Sequence, residues 1–94
     1  MANFLDDLIA DAKRSLRLRK IILFGSRARG NFRPDSDYDI AFVHDSSTAA
    51  WCDFANRMQE EALTLLDLDL VDLSEVSDAL RLTIDREGRV LYEQ

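Results

Sequence analysis

Residues Leu66 to Val71 read LDLDLV. Strict alternation of apolar and charged side chains fits a pleated strand and does not fit a helix. Leu66, Leu68 and Leu70 then share one face, and Asp67, Asp69 and Val71 the other. A second stretch repeats the pattern. From Asp37 to Val43, Asp37, Asp39, Ala41 and Val43 point one way and Tyr38, Ile40 and Phe42 the other. The apolar run KIILF, Lys20 to Phe24, reads as a buried strand, and Arg89 to Tyr92 as a short final one.

The segments between these strands carry helical signals. Asn3 can cap a first helix with Asp6 and Asp7 in its opening turn. Phe4, Leu5, Leu8, Ile9, Ala12 and Leu16 fall on one face of it. The basic stretch Lys13, Arg14, Arg17, Arg19 and Lys20 reads mainly as cations complementing a helix C-terminus, with a partner-binding face as the other reading. Ser26 to Arg29 starts a short helix that Gly30 stops, and Asn31 to Ser36 is loop, with the chain's only proline, Pro34. Asp45 to Thr48 is a turn leading into a long helix with a stripe of Trp51, Phe54, Ala55, Met58, Ala62 and Leu65. Ser74 or Ser77 opens a last helix to about Asp85, and Gly88 ends it. The order αβ(α)βαβαβ predicts an α/β (α+β) fold: a small mixed sheet of three to four strands flanked by helices. At 94 residues, the expectation is a single domain spanning 1–94.

Bulk properties exclude several classes. An apolar fraction of 47% is too high for a disordered chain. No apolar run approaches the roughly 20 residues of a membrane span. The N-terminus has no basic leader before an apolar segment, and a lone cysteine, Cys52, makes no internal disulfide, so a cytoplasmic protein is expected. A net charge of −6 argues against direct binding of nucleic acid. Arg27, Arg29 and Arg33 cluster around the glycines, where a small anion can bind.

The carboxylates Asp35, Asp37 and Asp39 recur at every second position. An EF-hand loop would need Gly at position six and Glu at position twelve; counted from Asp35, those places hold Ile40 and Ser46. Gly25 and Gly30 have P-loop spacing, but Asn31 and Phe32 follow in place of Lys and Ser or Thr. Strand geometry offers a better account. Asp37 and Asp39 share a face with Cβ atoms ~7 Å apart. Two like charges that close repel unless a cation lies between them. Magnesium suits carboxylates and keeps waters and substrate phosphates as further ligands. A third carboxylate from LDLDLV, Asp69 with Asp67 as the same-face alternative, would complete a two-metal site. Gly25-Ser26 ends a strand in a tight turn, where backbone N–H groups and a hydroxyl can meet a phosphate. Asp is disfavoured in strands, so two on one face need a reason; Asp35 and Ser36 read equally as turn residues or as part of the site, and Asp72 as an ordinary edge charge.

Gly25-Ser26, Gly30 and then Ser36-Asp37-x-Asp39 resemble the GS…G…SDxD signature of the nucleotidyltransferase superfamily related to DNA polymerase β. The short domain resembles its minimal nucleotidyltransferases (MNT), from Lys20 through the third strand and again at the closing EGRVLYE. The resemblance implies the polymerase β-like fold, with Gly25, Ser26, Arg27, Gly30 and Ser36 on the nucleotide side. It implies Asp37, Asp39 and Asp69 as catalytic ligands of two Mg²⁺, and ATP as the usual donor. Arg27 and Arg29 would either add charge near the triphosphate or stay solvated. Minimal members often pair with a helical HEPN-type toxin, so the resemblance implies an antitoxin that adds AMP to a tyrosine of its partner. A non-catalytic antitoxin acting by binding alone, and a small-molecule nucleotidyltransferase, are the competing readings. Apolar side chains outside so small a core leave room for burial against a second copy or a partner.

Other residues say less. His44 has no second His or Cys nearby, so a solvent-facing or capping role outweighs metal binding. Cys52 beside Trp51 is expected in the core. Tyr38 faces away from the aspartates, which favours packing, and Tyr92 is a weak candidate for self-modification.

Overall fold

The structure, a computed structural model, describes residues 3–61 and 64–94. Helix α1 (Phe4–Ser15) starts with the expected cap: the Asn3 side chain accepts from the amides of Leu5 and Asp6, and Asp6 reaches back to the Asn3 amide. Strand β1 (Leu18–Phe24) runs into a single turn, α2 (Ser26–Arg29), which Gly30 closes in the left-handed conformation. Strand β2 (Tyr38–His44), helix α3 (Thr48–Glu61), strand β3 (Leu68–Asp72), a 3₁₀ turn (Leu73–Glu75), helix α4 (Asp78–Glu87) and strand β4 (Arg89–Glu93) follow. The element order is the expected one. Ser77, rather than Ser74, caps α4, accepting from the Leu80 amide.

The four strands form one mixed sheet in the order β3-β2-β1-β4. β1 is antiparallel to both of its neighbours, and β2 and β3 are parallel, with Asp39 directly opposite Asp69. Strand alternation gives the sheet two apolar faces. On one, Ile21, Leu23, Ile40 and Phe42 pack with Leu8, Ala12, Phe54 and Met58 of α1 and α3. On the other, Ile22, Phe24 and Ala41 pack with Ile84 of α4. Arg57 of α3 ties the two helices of the first face together by donating to Asp11 and Ser15 of α1.

Several boundaries and burials differ from expectation. β1 begins at Leu18, not Lys20, because Leu18 is itself buried and pairs with His44. β2 begins at Tyr38, leaving Asp37 at the end of the loop, and β3 begins at Leu68, leaving Leu66 and Asp67 ahead of it. Asp67 nonetheless starts the β2–β3 ladder, since its carbonyl accepts from the Tyr38 amide. Leu65 lies past the end of α3 and is fully exposed, so it is no part of the helix stripe; Ala62 lies outside the described residues. Cys52 is exposed rather than in the core, because one residue beyond Trp51 turns it about 100° from the stripe that buries Phe54 and Met58. Among the described residues, no helix is long and apolar enough to cross a membrane.

Candidate active site

The end of β1, the start of β2 and the start of β3 meet at one end of the sheet. Asp39 and Asp69 face each other across the parallel pair. By alternation they lie on the α4 face, in line with Ala41 and Val71 of its core. Asp37 is two residues back along the same chain, just outside β2.

Gly25 is built against Asp39. Its backbone, at φ 76° and ψ −159°, occupies a region that is essentially glycine-only. A Cβ there would lie 2.2 Å from an Asp39 carboxylate oxygen. The turn that follows is compact: the Gly25 carbonyl accepts from the amides of Ala28 and Arg29, and no side chain caps its first amides. Ser26 therefore opens a helical turn a few ångströms from the carboxylates, where backbone N–H groups are free to meet an anion.

The electrostatics are unbalanced. Burial, followed by the charges of Asp69 and then Asp37, pushes the Asp39 carboxyl up; Arg29 opposes this more weakly. Among the described residues, none of the three carboxylates is in an ion pair, and Arg29 is paired instead with Glu87 of α4 at 3.1 Å. Among the described residues, no group of three or more His, Cys, Asp or Glu side chains is gathered closely enough to hold a metal ion through protein ligands alone. Magnesium does not require such a group, because it keeps several waters and takes substrate phosphates as ligands. Uncompensated carboxylates on facing strands, beside a glycine that leaves room for little else, fit a hard divalent cation.

The structure separates the jobs of the remaining candidates. Gly30 ends α2, donating its amide to the Ser26 carbonyl, and a Cβ on it would meet nothing within 4 Å. Ser36 turns its hydroxyl inward, where it accepts from the Arg33 amide at 2.9 Å. Arg27 is not solvated: its guanidinium donates to the carbonyls of Ser36 and Pro34 and to the Tyr38 hydroxyl. Tyr38 has the packing role expected of it, edge-on to Phe4 at 4.8 Å. Asp35 is exposed in the loop.

The opposite end of the sheet holds what the sequence did not disclose. His44 is no solvent-facing residue: its side chain is 3% exposed and stacks on Trp51 at 5.3 Å. Its Nε2 lies 2.9 Å from Asp72 Oδ2, and its Nδ1 accepts from the Ser46 amide. Nδ1 as acceptor makes Nε2–H the donor to Asp72 when the ring is neutral. The signal was present in the parity that sets Asp72 apart from Asp69. A cleft of about 450 Å³ lined by Lys13, Arg17, Arg19 and Tyr92 also lies at this end, away from Asp39 and Asp69. Three residues of the basic stretch are in ion pairs there, Arg14 with Asp11, Arg19 with Asp45 and Lys20 with Glu93, and Lys13 sits over the Tyr92 ring.

The profile of the family "Polymerase beta, Nucleotidyltransferase" matches residues 7–94. The protein adenylyltransferase MntA of Aphanizomenon flos-aquae is 29% identical over 87 residues, which are 82% of this chain and 58% of that protein. The chain thus spans little more than half the length of that relative. A candidate protein adenylyltransferase of Methanocaldococcus jannaschii is 32% identical over 81 residues, 81% of this chain and 80% of that one. A crystal structure of a toxin-antitoxin with AMP-PNP superposes with a TM-score of 0.76 at 27% identity, covering 95% of this chain and 73% of the other.

Proposed function

The chain belongs to the polymerase beta nucleotidyltransferase family, and from that premise we propose that it transfers AMP from ATP to a hydroxyl of a partner protein. The observation that carries this reading is the in-register pairing of Asp39 with Asp69 beside Gly25. The likeness to MntA and to a toxin-antitoxin structure holding AMP-PNP supports a partner of the HEPN toxin type, with this chain as antitoxin and a tyrosine as the acceptor.

The family resemblance assigns the roles, and the placement of the side chains supports them. Gly25 and Ser26 receive the β- and γ-phosphates on the open amides of the α2 turn and on the Ser26 hydroxyl. Asp37, Asp39 and Asp69 would hold two magnesium ions, which when bound stabilise the attacking and leaving oxygens together. Asp69 stands on the acceptor side and helps draw the proton from the incoming hydroxyl. That oxygen attacks the α-phosphorus, the bond from the α-phosphorus to the bridging oxygen breaks, and pyrophosphate leaves. Catalysis here is positioning and charge, as in phosphoryl transfer generally.

Label transfer tests the reading. The chain with its co-purifying partner should become labelled on the partner by α-³²P-ATP and not by γ-³²P-ATP. The Asp37→Asn/Asp39→Asn variant should bind the partner and lose the label. Neutralisation of the partner by that variant at full strength would replace this reading with an antitoxin that acts by binding alone. Transfer to a small molecule with no protein present would replace the acceptor.

A further inference from the structure

We propose that Arg27 is a positioning residue: it clamps the loop of residues 31–36 and so fixes Asp37 relative to the Gly25-Ser26 turn. Its guanidinium commits four of its five N–H groups. Nε and Nη2 both donate to the Ser36 carbonyl, at 3.1 and 3.0 Å, Nη2 also donates to the Pro34 carbonyl at 3.0 Å, and Nη1 donates to the Tyr38 hydroxyl at 3.1 Å. Its Cζ also lies over two rings, 4.1 Å from the Tyr38 centroid and 4.5 Å from that of Phe32.

The placement of these contacts gives them their consequence. Arg27 sits one residue after Ser26 in α2, on the phosphate side of the site. The Ser36 carbonyl belongs to the peptide group that leads into Asp37. Arg27 therefore bridges the two halves of the site, and Tyr38, which packs against the core, anchors it. The loop has little else to hold it. Its residues from Asn31 to Asp35 are exposed, and the hydrogen bonds between Arg33 and Ser36 are internal to it. Among the described residues, the hydrogen bonds that leave residues 31–36 all run to Arg27. A guanidinium so engaged has one N–H left, which makes a phosphate contact a poor account of it. Lysine has the charge but not the planar fork, so it cannot replace this clamp.

The consequence for turnover rests on the nucleotidyl-transfer reading; the clamp itself does not. Amide hydrogen exchange and steady-state kinetics on Arg27→Lys, Arg27→Ala and Tyr38→Phe test both. Exchange of the Arg33 and Ser36 amides, the hydrogen-bonded ones of the loop, should quicken about 10-fold or more in both Arg27 variants while the α1 and α3 amides stay protected. Tyr38→Phe, which keeps the ring and removes one bond, should show a smaller increase and serves if an Arg27 variant fails to fold. Turnover should fall by about 100-fold, the scale of a misplaced catalytic group, with the KM for ATP moving less than about 3-fold. Unchanged loop exchange would overturn the clamp. So would a raised KM for ATP that lysine restores, since that marks a phosphate contact. A wild-type chain that transfers no nucleotide would sink the proposed function, and exchange alone would then decide the clamp.

Discussion

Asp39 and Asp72 sit at opposite ends of the same pair of strands, and their surroundings move them in opposite directions. Both are partly withdrawn from water, which pushes each carboxyl up. At Asp72 the Ser74 hydroxyl and amide and the His44 ring more than offset that, and the carboxyl ends up below its ordinary value. At Asp39 the neighbours are Asp69 and Asp37, so the push is reinforced. One end of the sheet is satisfied by the protein's own groups and the other is not. Natural folds tolerate such local conflict where function requires it. The contrast marks the Asp39 end as the one left unbalanced, which supports the function proposed for it.

The largest effect expected from disturbing the contrast comes at Gly25. Gly25→Ala places a methyl group on the Asp39 carboxylate and holds alanine in a glycine-only conformation. The strain is worth about 1–3 kcal/mol, and a displaced carboxylate should remove at least ~100-fold of transfer activity. Gly30→Ala, with open space around its Cβ, should cost less. A urea melt and label transfer on the two variants check this; equal losses at both would erase the distinction between them.

A smaller effect is expected at the satisfied end. Asp72→Ala leaves the buried His44 Nε2–H without its acceptor, which should cost about 1–3 kcal/mol at neutral pH. Because the folded-state pKa of Asp72 is depressed, its stabilisation is present above the unfolded value, near ~3.9, and is lost as pH falls through the folded value. The gap between variant and wild type should therefore narrow on acidification, which denaturant melts across pH 7 to 3 would show. A gap constant with pH would mean that the Asp72 charge contributes nothing.

Much of this was legible in the sequence, for identifiable reasons. LDLDLV and DYDIAFV showed their strands by alternation, and the Asn3 and Ser77 caps and the Gly30 and Gly88 stops followed local rules. The pairing of Asp39 with Asp69 needed more, because two alternating strands give parity without register. The misplaced strand starts reflect pairing rather than pattern: Leu18 is buried and pairs with His44, whereas the ladder proper begins only at Tyr38 and Leu68, and neither limit shows in periodicity. Cys52 was misjudged from its neighbour Trp51, although a helix turns successive residues away from each other. His44 and Arg27 were obscure because their partners lie 28 and up to 11 residues away, and hydrogen-bond partners leave no trace in hydropathy.

The central claim is that the carboxylates at the Asp39 end are crowded for a cation rather than for stability. Because burial and neighbouring charge raise Asp39, the stability this group offers exists below its unfolded pKa and is lost as pH rises through the folded value. Ionised and alone at neutral pH, it opposes folding. The direct measurement is thermal unfolding of wild type and Asp39→Asn at pH 7, with EDTA and with Mg²⁺. In EDTA the variant should melt higher, by several degrees if relief of the crowding is worth about 1 kcal/mol. Mg²⁺ should raise the wild type and leave the variant nearly unmoved. A variant that melts lower in EDTA, with a wild type indifferent to Mg²⁺, would contradict the account.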